Sequence, residues 1–262
     1  MPLRCYFNLL ALNGLEPPRN FEDIQHAGYD GVQFADPPRP GDLDRCRQLR
    51  LEFTASGRVN QPADAVELAA LWSAEGFGVS TLHVGWGIET SDEACRIIES
   101  ILSASQKHKL DLYVETHRAT IFQDMWRTVE FVRRFPELRF NGDFSHWYTG
   151  QEMVYGGFDR KFEFIRPVLE RVRFLHGRIG NPGCMQVAID PEQKPEPEYV
   201  THFRRLWTEC FRHGAEIFTP ELLAADIYYA CTLPNGREES DRWQQSLMLR
   251  RIAQECYAEA HS

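Results

Sequence analysis

No Cys-x-x-Cys pair occurs in the chain, and its seven cysteines, at positions 5, 46, 95, 184, 210, 231 and 256, form an odd and widely spaced set. This argues against a disulfide framework and against a structural zinc knuckle as the organising element. Ordinary thiols in a reducing, cytoplasmic compartment are the expectation. Long apolar runs are missing as well, so no membrane span is expected. Residues 3–12 could be taken for a short leader because Arg4 precedes apolar residues, but Asn8 interrupts the run and Pro17-Pro18 offers no small-residue cleavage site. A first strand is expected there instead. Positive charge is in deficit: 29 Lys and Arg stand against 38 Asp and Glu, a formal charge of -9. Nothing global therefore draws the chain to nucleic acid or to an anionic bilayer. Low-complexity segments and interdomain linkers are absent too, and the three prolines of residues 190–198 read as a surface excursion.

What the chain does contain is a repeated unit. Its 43% hydrophobic content is enough for a sizeable core, and 262 residues is close to the size of one eight-stranded α/β barrel, although two small domains would also fit that length. Strand-like runs occur at 3–10, 32–35, 51–55, 79–84, 110–117, 139–143, 171–176 and 215–219, the third of them ended by Ser56-Gly57. Helical patterns follow at 21–27, 42–50, after Pro62, from Ser91 or Asp92 as cap to 108, at 122–134, 160–170, 199–213 and 239–258. Eight strand-then-helix units predict a single (β/α)8 TIM barrel over residues 1–262, with a doubly wound open sheet as the less favoured arrangement.

The polar residues of the later strands fall at their carboxyl ends. Residues 110–117, Leu-Asp-Leu-Tyr-Val-Glu-Thr-His, carry Glu115 and His117 two positions apart and so on one face. Strand six ends in Asp143 with His146 three residues on, strand seven in His176 with Arg178 two residues on, and strand eight leads into Glu221. In a parallel barrel these ends converge on one mouth, where a hard or borderline divalent ion is the expected occupant. Each residue also has an ordinary reading. Glu115 can pair with Arg118, Asp143 can serve the turn after Gly142, His176 can be a satisfied core imidazole, and Glu221 can begin a helical turn after Pro220. Four candidates in register favour ligation. His146, Arg178, His117 and His83, the last sharing a face with Val79 and Thr81, are candidates for substrate contact. Trp147, with Trp86 and Tyr148, is a candidate for stacking on a sugar ring, and the 144–157 loop carrying it is long enough to form a lid.

Ala27-Gly28-Tyr29-Asp30-Gly31-Val32-Gln33 resembles the second-strand signature of the xylose isomerase-like superfamily. The likeness continues through Val114-Glu115-Thr116-His117, Asp143-Phe144-Ser145-His146, His176 and Pro220-Glu221, nearly the whole barrel. That group includes sugar isomerases, ketose 3-epimerases, inosose dehydratases and metal-dependent apurinic-site endonucleases. The epimerase branch implies one divalent ion (Mn, Mg, Co or Zn) held by Glu115, Asp143, His176 and Glu221, with His146 touching substrate. It further implies isomerisation or epimerisation of a small sugar or polyol through an enediolate, with Glu115 and Glu221 as acid and base. Two departures are visible: Gln33 stands where that strand often offers Glu, and Arg178 precedes the usual position of the substrate-binding Arg. Inosose-type dehydration, a zinc phosphodiesterase acting at abasic DNA and a non-catalytic ligand-binding barrel are the alternatives. The endonuclease set lacks a His at Ser56 and an Asp-x-His after strand seven, so no nucleic-acid partner is expected, and a homo-oligomer is left open.

Overall fold

The computed structural model of the chain describes residues 2–15, 17–224 and 237–262. Eight parallel strands close into a barrel in sequence order: β1 Arg4–Asn8, β2 Gly31–Phe34, β3 Glu52–Val59, β4 Val79–Val84, β5 Asp111–Glu115, β6 Phe140–Gly142, β7 Val172–Gly177 and β8 Ile217–Pro220, with β8 pairing back onto β1. The (β/α)8 TIM barrel is therefore the architecture. Among the described residues the helices are α1 Phe21–His26, α2 Asp42–Leu49, α3 Pro62–Glu75, α4 Ser91–His108, α5 Met125–Arg134, α6 Ser145–Gly150, α7 Phe158–Leu169, α8 Glu198–Arg212 and α9 Arg242–Ala260. None of them is long and apolar enough to cross a membrane. The Pro234-Asn235-Gly236 turn read from the sequence lies outside the described residues.

The period of two along each strand sorts the barrel interior into layers. Tyr6, Val79, Phe174 and Ile217 form an apolar cluster with Tyr113 packed on it, separate from the main core between barrel and helices. Two residues further along the same strands stand Asn8, Thr81, His176, Thr219 and Glu115, all buried. Two further still come His83, Arg178, Glu221 and His117. An apolar floor thus carries a polar middle and an ionisable rim. Gly31 belongs to the floor: a Cβ there would come within 2.8 Å of the Tyr6 ring and 2.6 Å of the Glu52 carbonyl, so the missing side chain lets the tyrosine fill the barrel.

Three local readings of the sequence change. The third strand continues past Ser56-Gly57 to Val59, pairing residue for residue with β4 from Ala55↔Ser80 to Val59↔Val84. Gly57 does not break it because the Trp72 ring of α3 occupies the space a Cβ would need. The cap of α4 is Thr90, not Ser91 or Asp92: its hydroxyl accepts from the Glu93 amide while the Glu93 carboxylate accepts from the Thr90 amide. The segment after Asp143 begins with a helix, α6, where a loop was expected.

Outward parity matters most at Gly177, which lies between His176 and Arg178. A Cβ at this position would overlap the Phe218 ring, which packs on Trp207 with ring centroids 5.0 Å apart. Gly177→Ala should lower unfolding stability by about 1–3 kcal/mol through overpacking. Phe218→Leu should recover part of that loss in the double variant. Urea unfolding of the two single variants and the pair measures the coupling, and strictly additive losses would count against the clash.

Candidate metal centre at the barrel mouth

Four side chains delivered by four consecutive strand ends meet at the mouth. One ligand atom from each of Glu115, Asp143, His176 and Glu221 lies within 4.8 Å of the other three. Glu115, Asp143 and His176 are essentially inaccessible and Glu221 is 8% exposed. His176 Nδ1 stands 3.2 Å from both Glu115 Oε2 and Glu221 Oε2.

Uncharged residues hold this set in place. The other nitrogen of His176, Nε2, is 2.9 Å from Gln33 Oε1, and Gln33 Nε2 donates to Thr81 Oγ1 at 3.2 Å. With Nε2–H donating to the Gln33 carbonyl, Nδ1 is the atom turned to the carboxylates. Asn141 Nδ2 donates to Glu115 Oε2 at 2.9 Å. Asp143 Oδ1 accepts from the Ser145 amide at 3.0 Å and from the Ser145 hydroxyl at 2.6 Å, both in the first turn of α6.

Arg178 enters the same cluster. Its guanidinium donates to the Asp143 carboxylate, to Glu221 Oε2 at 3.1 Å and to Ser145 Oγ at 3.0 Å, and lies 3.1 Å from His146 Nε2. Burial alone would raise the Asp143 carboxyl, but the Arg178 guanidinium and the His146 imidazole hold it well below the usual carboxylate range. Burial also opposes ionisation of Glu115, and His176 and His83 overcome it in the same direction. For His176 burial favours the neutral ring, while Glu221 and Glu115 outweigh it and lift its pKa to about 10.

The remaining candidates divide. His83 Nε2 lies 3.3 Å from Glu115 Oε2, and the His117 ring packs between His83 and His146 with centroid separations of 4.2 and 3.9 Å. Burial first, and then His146, push His117 down to about 2, so it is a neutral imidazole. His146 lies 3.3 Å from Asp143 Oδ2, and its Nδ1 has no hydrogen-bond partner. Trp147 is corrected: it is fully buried in the main core, its indole N–H donating to the Phe122 carbonyl at 3.0 Å. Neither stacking face nor polar edge is left for a sugar, because α6 turns this side chain toward the helical layer. Tyr148 is likewise buried, bonded to His202 Nδ1 at 2.9 Å.

The donor set fits a divalent cation. Three carboxylates and one imidazole suit Mg or Mn, and Co or Zn accept the same groups. The four donor atoms lie within 4.8 Å of one another, a span that one divalent ion could bridge. Glu115 Oε1 is a buried atom with no hydrogen-bond partner, which a cation would satisfy.

No protein-family model matches the chain, and no curated protein sequence does. Solved structures do. A D-tagatose 3-epimerase-like protein superposes with a TM-score of 0.63 at 13% identity, covering 99% of this chain and 100% of its own. A xylose isomerase-like TIM barrel protein from Mycobacterium smegmatis, in complex with magnesium, gives 0.61 at 12%, covering 99% and 98%. The chain has the xylose isomerase-like barrel fold. A probable 3-DHS dehydratase from Bacillus anthracis shares it, with a TM-score of 0.58 at 14% identity over 94% of this chain and 98% of that one.

Within this xylose isomerase-like barrel, Gln33, Asn141 and Ser145 are the supporting residues that reading the sequence passed over as part of the site. A signal existed for two of them: Gln33 is a polar residue inside an apolar strand, and Asn141 shares the parity of Asp143.

Two outcomes follow from the geometry. Gln33→Leu removes the acceptor that fixes the His176 tautomer and should weaken divalent-ion binding by about 10–100-fold, whereas Gln33→Glu should retain it, as read by calorimetric titration. Because His176 carries its second proton up to about pH 10, a divalent ion must compete with that proton at neutral pH. Affinity should therefore rise as pH rises toward 10, with close to one proton released per ion, measurable in buffers of different protonation enthalpy.

Proposed function

We propose that the chain is a divalent-metal-dependent isomerase or epimerase of a small sugar or sugar derivative. The observation that carries the reading is the convergence of Glu115, Asp143, His176 and Glu221 within 4.8 Å of one another on four successive strand ends. The epimerase-like and magnesium-bound neighbours support it, since both share the whole barrel. A divalent ion held by these four residues would supply Lewis-acid polarisation of a carbonyl and so acidify the neighbouring C–H.

The chain's own groups then divide the work. Glu221, which keeps some exposure, removes the proton beside the carbonyl, leaving an enediolate, and Glu115, on a different side of the mouth, returns a proton. Proton return to the neighbouring carbon gives isomerisation; return to the opposite face of the same carbon gives epimerisation. Arg178 acts here as a positioning residue, keeping Asp143 ionised and holding the Glu221 carboxylate in place. His146 offers its unpartnered Nδ1, with His83 and His117 beside it, to substrate oxygens. The same opening step followed by loss of hydroxide gives a dehydratase, a second reading that the dehydratase neighbour favours. Cysteine usage supports a cytoplasmic setting: Cys5, Cys46, Cys95, Cys184, Cys210 and Cys256 are all free thiols.

Incubation in deuterium oxide with a panel of aldoses, ketoses and sugar acids tests this. A true substrate should gain deuterium beside its carbonyl by mass spectrometry, and Glu221→Gln should lower that exchange by at least about 100-fold while the ion is retained. Exchange undiminished in both Glu115→Gln and Glu221→Gln would remove them as acid and base. Loss of water from the product selects the dehydratase. Salt-sensitive binding and cleavage of abasic DNA, with no exchange on any sugar, would select the phosphodiesterase instead.

A further inference from the structure

We infer that the end of the barrel opposite the metal centre holds an anion site, formed by Arg139, Arg171 and Arg173 and suited to a phosphate group. The strands bring the three guanidiniums together. Phe140 pairs with Val172 in the β6–β7 register, so Arg139 and Arg171 are neighbours at the amino ends of these strands, on the face opposite to Phe140 and Val172. The register then shifts, because the next pair is Asn141 with Phe174, and Arg173 is the extra residue of a bulge. This bulge lets Val172 pack in the main core outside the barrel and Phe174, two residues on, in the floor inside it. Arg173 is turned toward the start of β8, where a Cβ on Gly214 would stand 3.9 Å from its Cζ.

Their charge is not neutralised locally. Among the described residues neither Arg139 nor Arg173 pairs with a carboxylate. Arg139 Nη1 donates to the Pro136 and Leu138 carbonyls at 2.8 and 3.0 Å, and Arg173 Nη1 to the Glu170 and Val172 carbonyls at 3.1 and 2.7 Å. Arg171 Nη1 donates to the Pro167 carbonyl at 2.8 Å, the Glu170 carboxylate stands 3.8 Å away, and Arg171 Nε is buried with no hydrogen-bond partner. Burial first, and then the charges of Arg173 and Arg171, push the Arg139 guanidinium below its ordinary value, so the three feel one another. In a chain of formal charge -9 such a cluster is an exception. Backbone carbonyls fix one nitrogen of each guanidinium and leave further N–H groups to a ligand.

The chemistry of that ligand follows from the donors. A guanidinium is a planar fork that takes two oxygens at once, and several forks converging from different backbone positions suit a tetrahedral oxyanion better than a single carboxylate. All three arginines are partly exposed, so a solute can reach them. A cavity of about 350 Å³ adjoins them through Tyr113, which lines it together with Arg4, Tyr6, Glu52 and Asp111. Tyr113 is beside Arg139, because the Val114 amide donates to the Arg139 carbonyl at 3.1 Å. Glu52 is already engaged there by Arg4 and by the Tyr6 hydroxyl, and Asp111 is an acceptor suited to hydroxyl groups. Inorganic phosphate and a small phosphorylated molecule share the chemistry of the arginines. The apolar floor lies between this site and the mouth, so the site stands whether or not the isomerase reading does.

Calorimetric titration of the full chain with inorganic phosphate, and in parallel with glucose 6-phosphate, tests it at low ionic strength after chelator treatment has cleared the mouth of metal. One equivalent should bind. Arg139→Gln and Arg173→Gln should each weaken binding by about 10–100-fold, the loss expected when a charged hydrogen-bond partner is removed, with the fold verified by circular dichroism. Tighter binding of the sugar phosphate would support the site and assign the adjoining cavity to the organic part; equal binding would support a site for the phosphate group alone. No binding of either probe, or binding undiminished in both variants, would overturn the inference. Should a variant fail to fold, protection of the wild type decides. Phosphate should slow phenylglyoxal modification of Arg139 and Arg173, mapped by peptide mass spectrometry, and leave the exposed Arg96 unchanged. Absence of protection, or equal protection at Arg96, would refute the assignment.

Discussion

Three buried carboxylates gathered within 4.8 Å of one another are tolerable only if positive charge reaches them at bonding distance, and the mouth of this barrel is arranged around that requirement. An unpaired ion in such surroundings costs several kcal/mol even after relaxation. Glu115, Asp143 and Glu221 escape that cost because Arg178 bonds to two of them and His176 lies 3.2 Å from Glu115 and Glu221. The neutral ring of residues behind them completes the arrangement. Gln33, Asn141 and Ser145 give the charged groups fixed partners, so the geometry does not depend on the charges alone.

This explains why the site sits above an apolar floor. Tyr6, Val79, Phe174 and Ile217 fill the lower barrel with hydrocarbon and aromatic edges, which excludes water from beneath the carboxylates and strengthens their pairing with Arg178 and His176. The outer face contributes in the opposite sense. Gly177 has no side chain, so Phe218 can pack across β7, and the strand segment presenting His176 and Arg178 is fixed from outside as well as inside.

Much of this was legible because strand parity is a simple code. Tyr113, Glu115 and His117, or Phe174, His176 and Arg178, announce floor, middle and rim by their spacing alone. Glu115, Asp143, His176 and Glu221 stood out because ionisable residues are rare at the ends of apolar strands. Gln33 and Asn141 did not, since an uncharged amide in a strand has many ordinary roles and its partner lies on another strand. Trp147 was misread for a different reason. Length and aromatic content described 144–157 as a lid, but only tertiary structure shows Ser145–Gly150 wound as a helix with the indole turned to Phe122. Arg178 was read as a substrate contact and lies against Asp143 and Glu221, because nothing in the spacing of strand seven tells whether a guanidinium points to a substrate or to the carboxylates of strands six and eight.

The charge of the mouth links these details to the choice of substrate. Counted formally, three carboxylates, Arg178 and one divalent ion held with a neutral His176 would bring the inner cluster to zero net charge. A neutral sugar then enters without electrostatic penalty, and the negative charge of the enediolate develops beside groups already oriented to receive it.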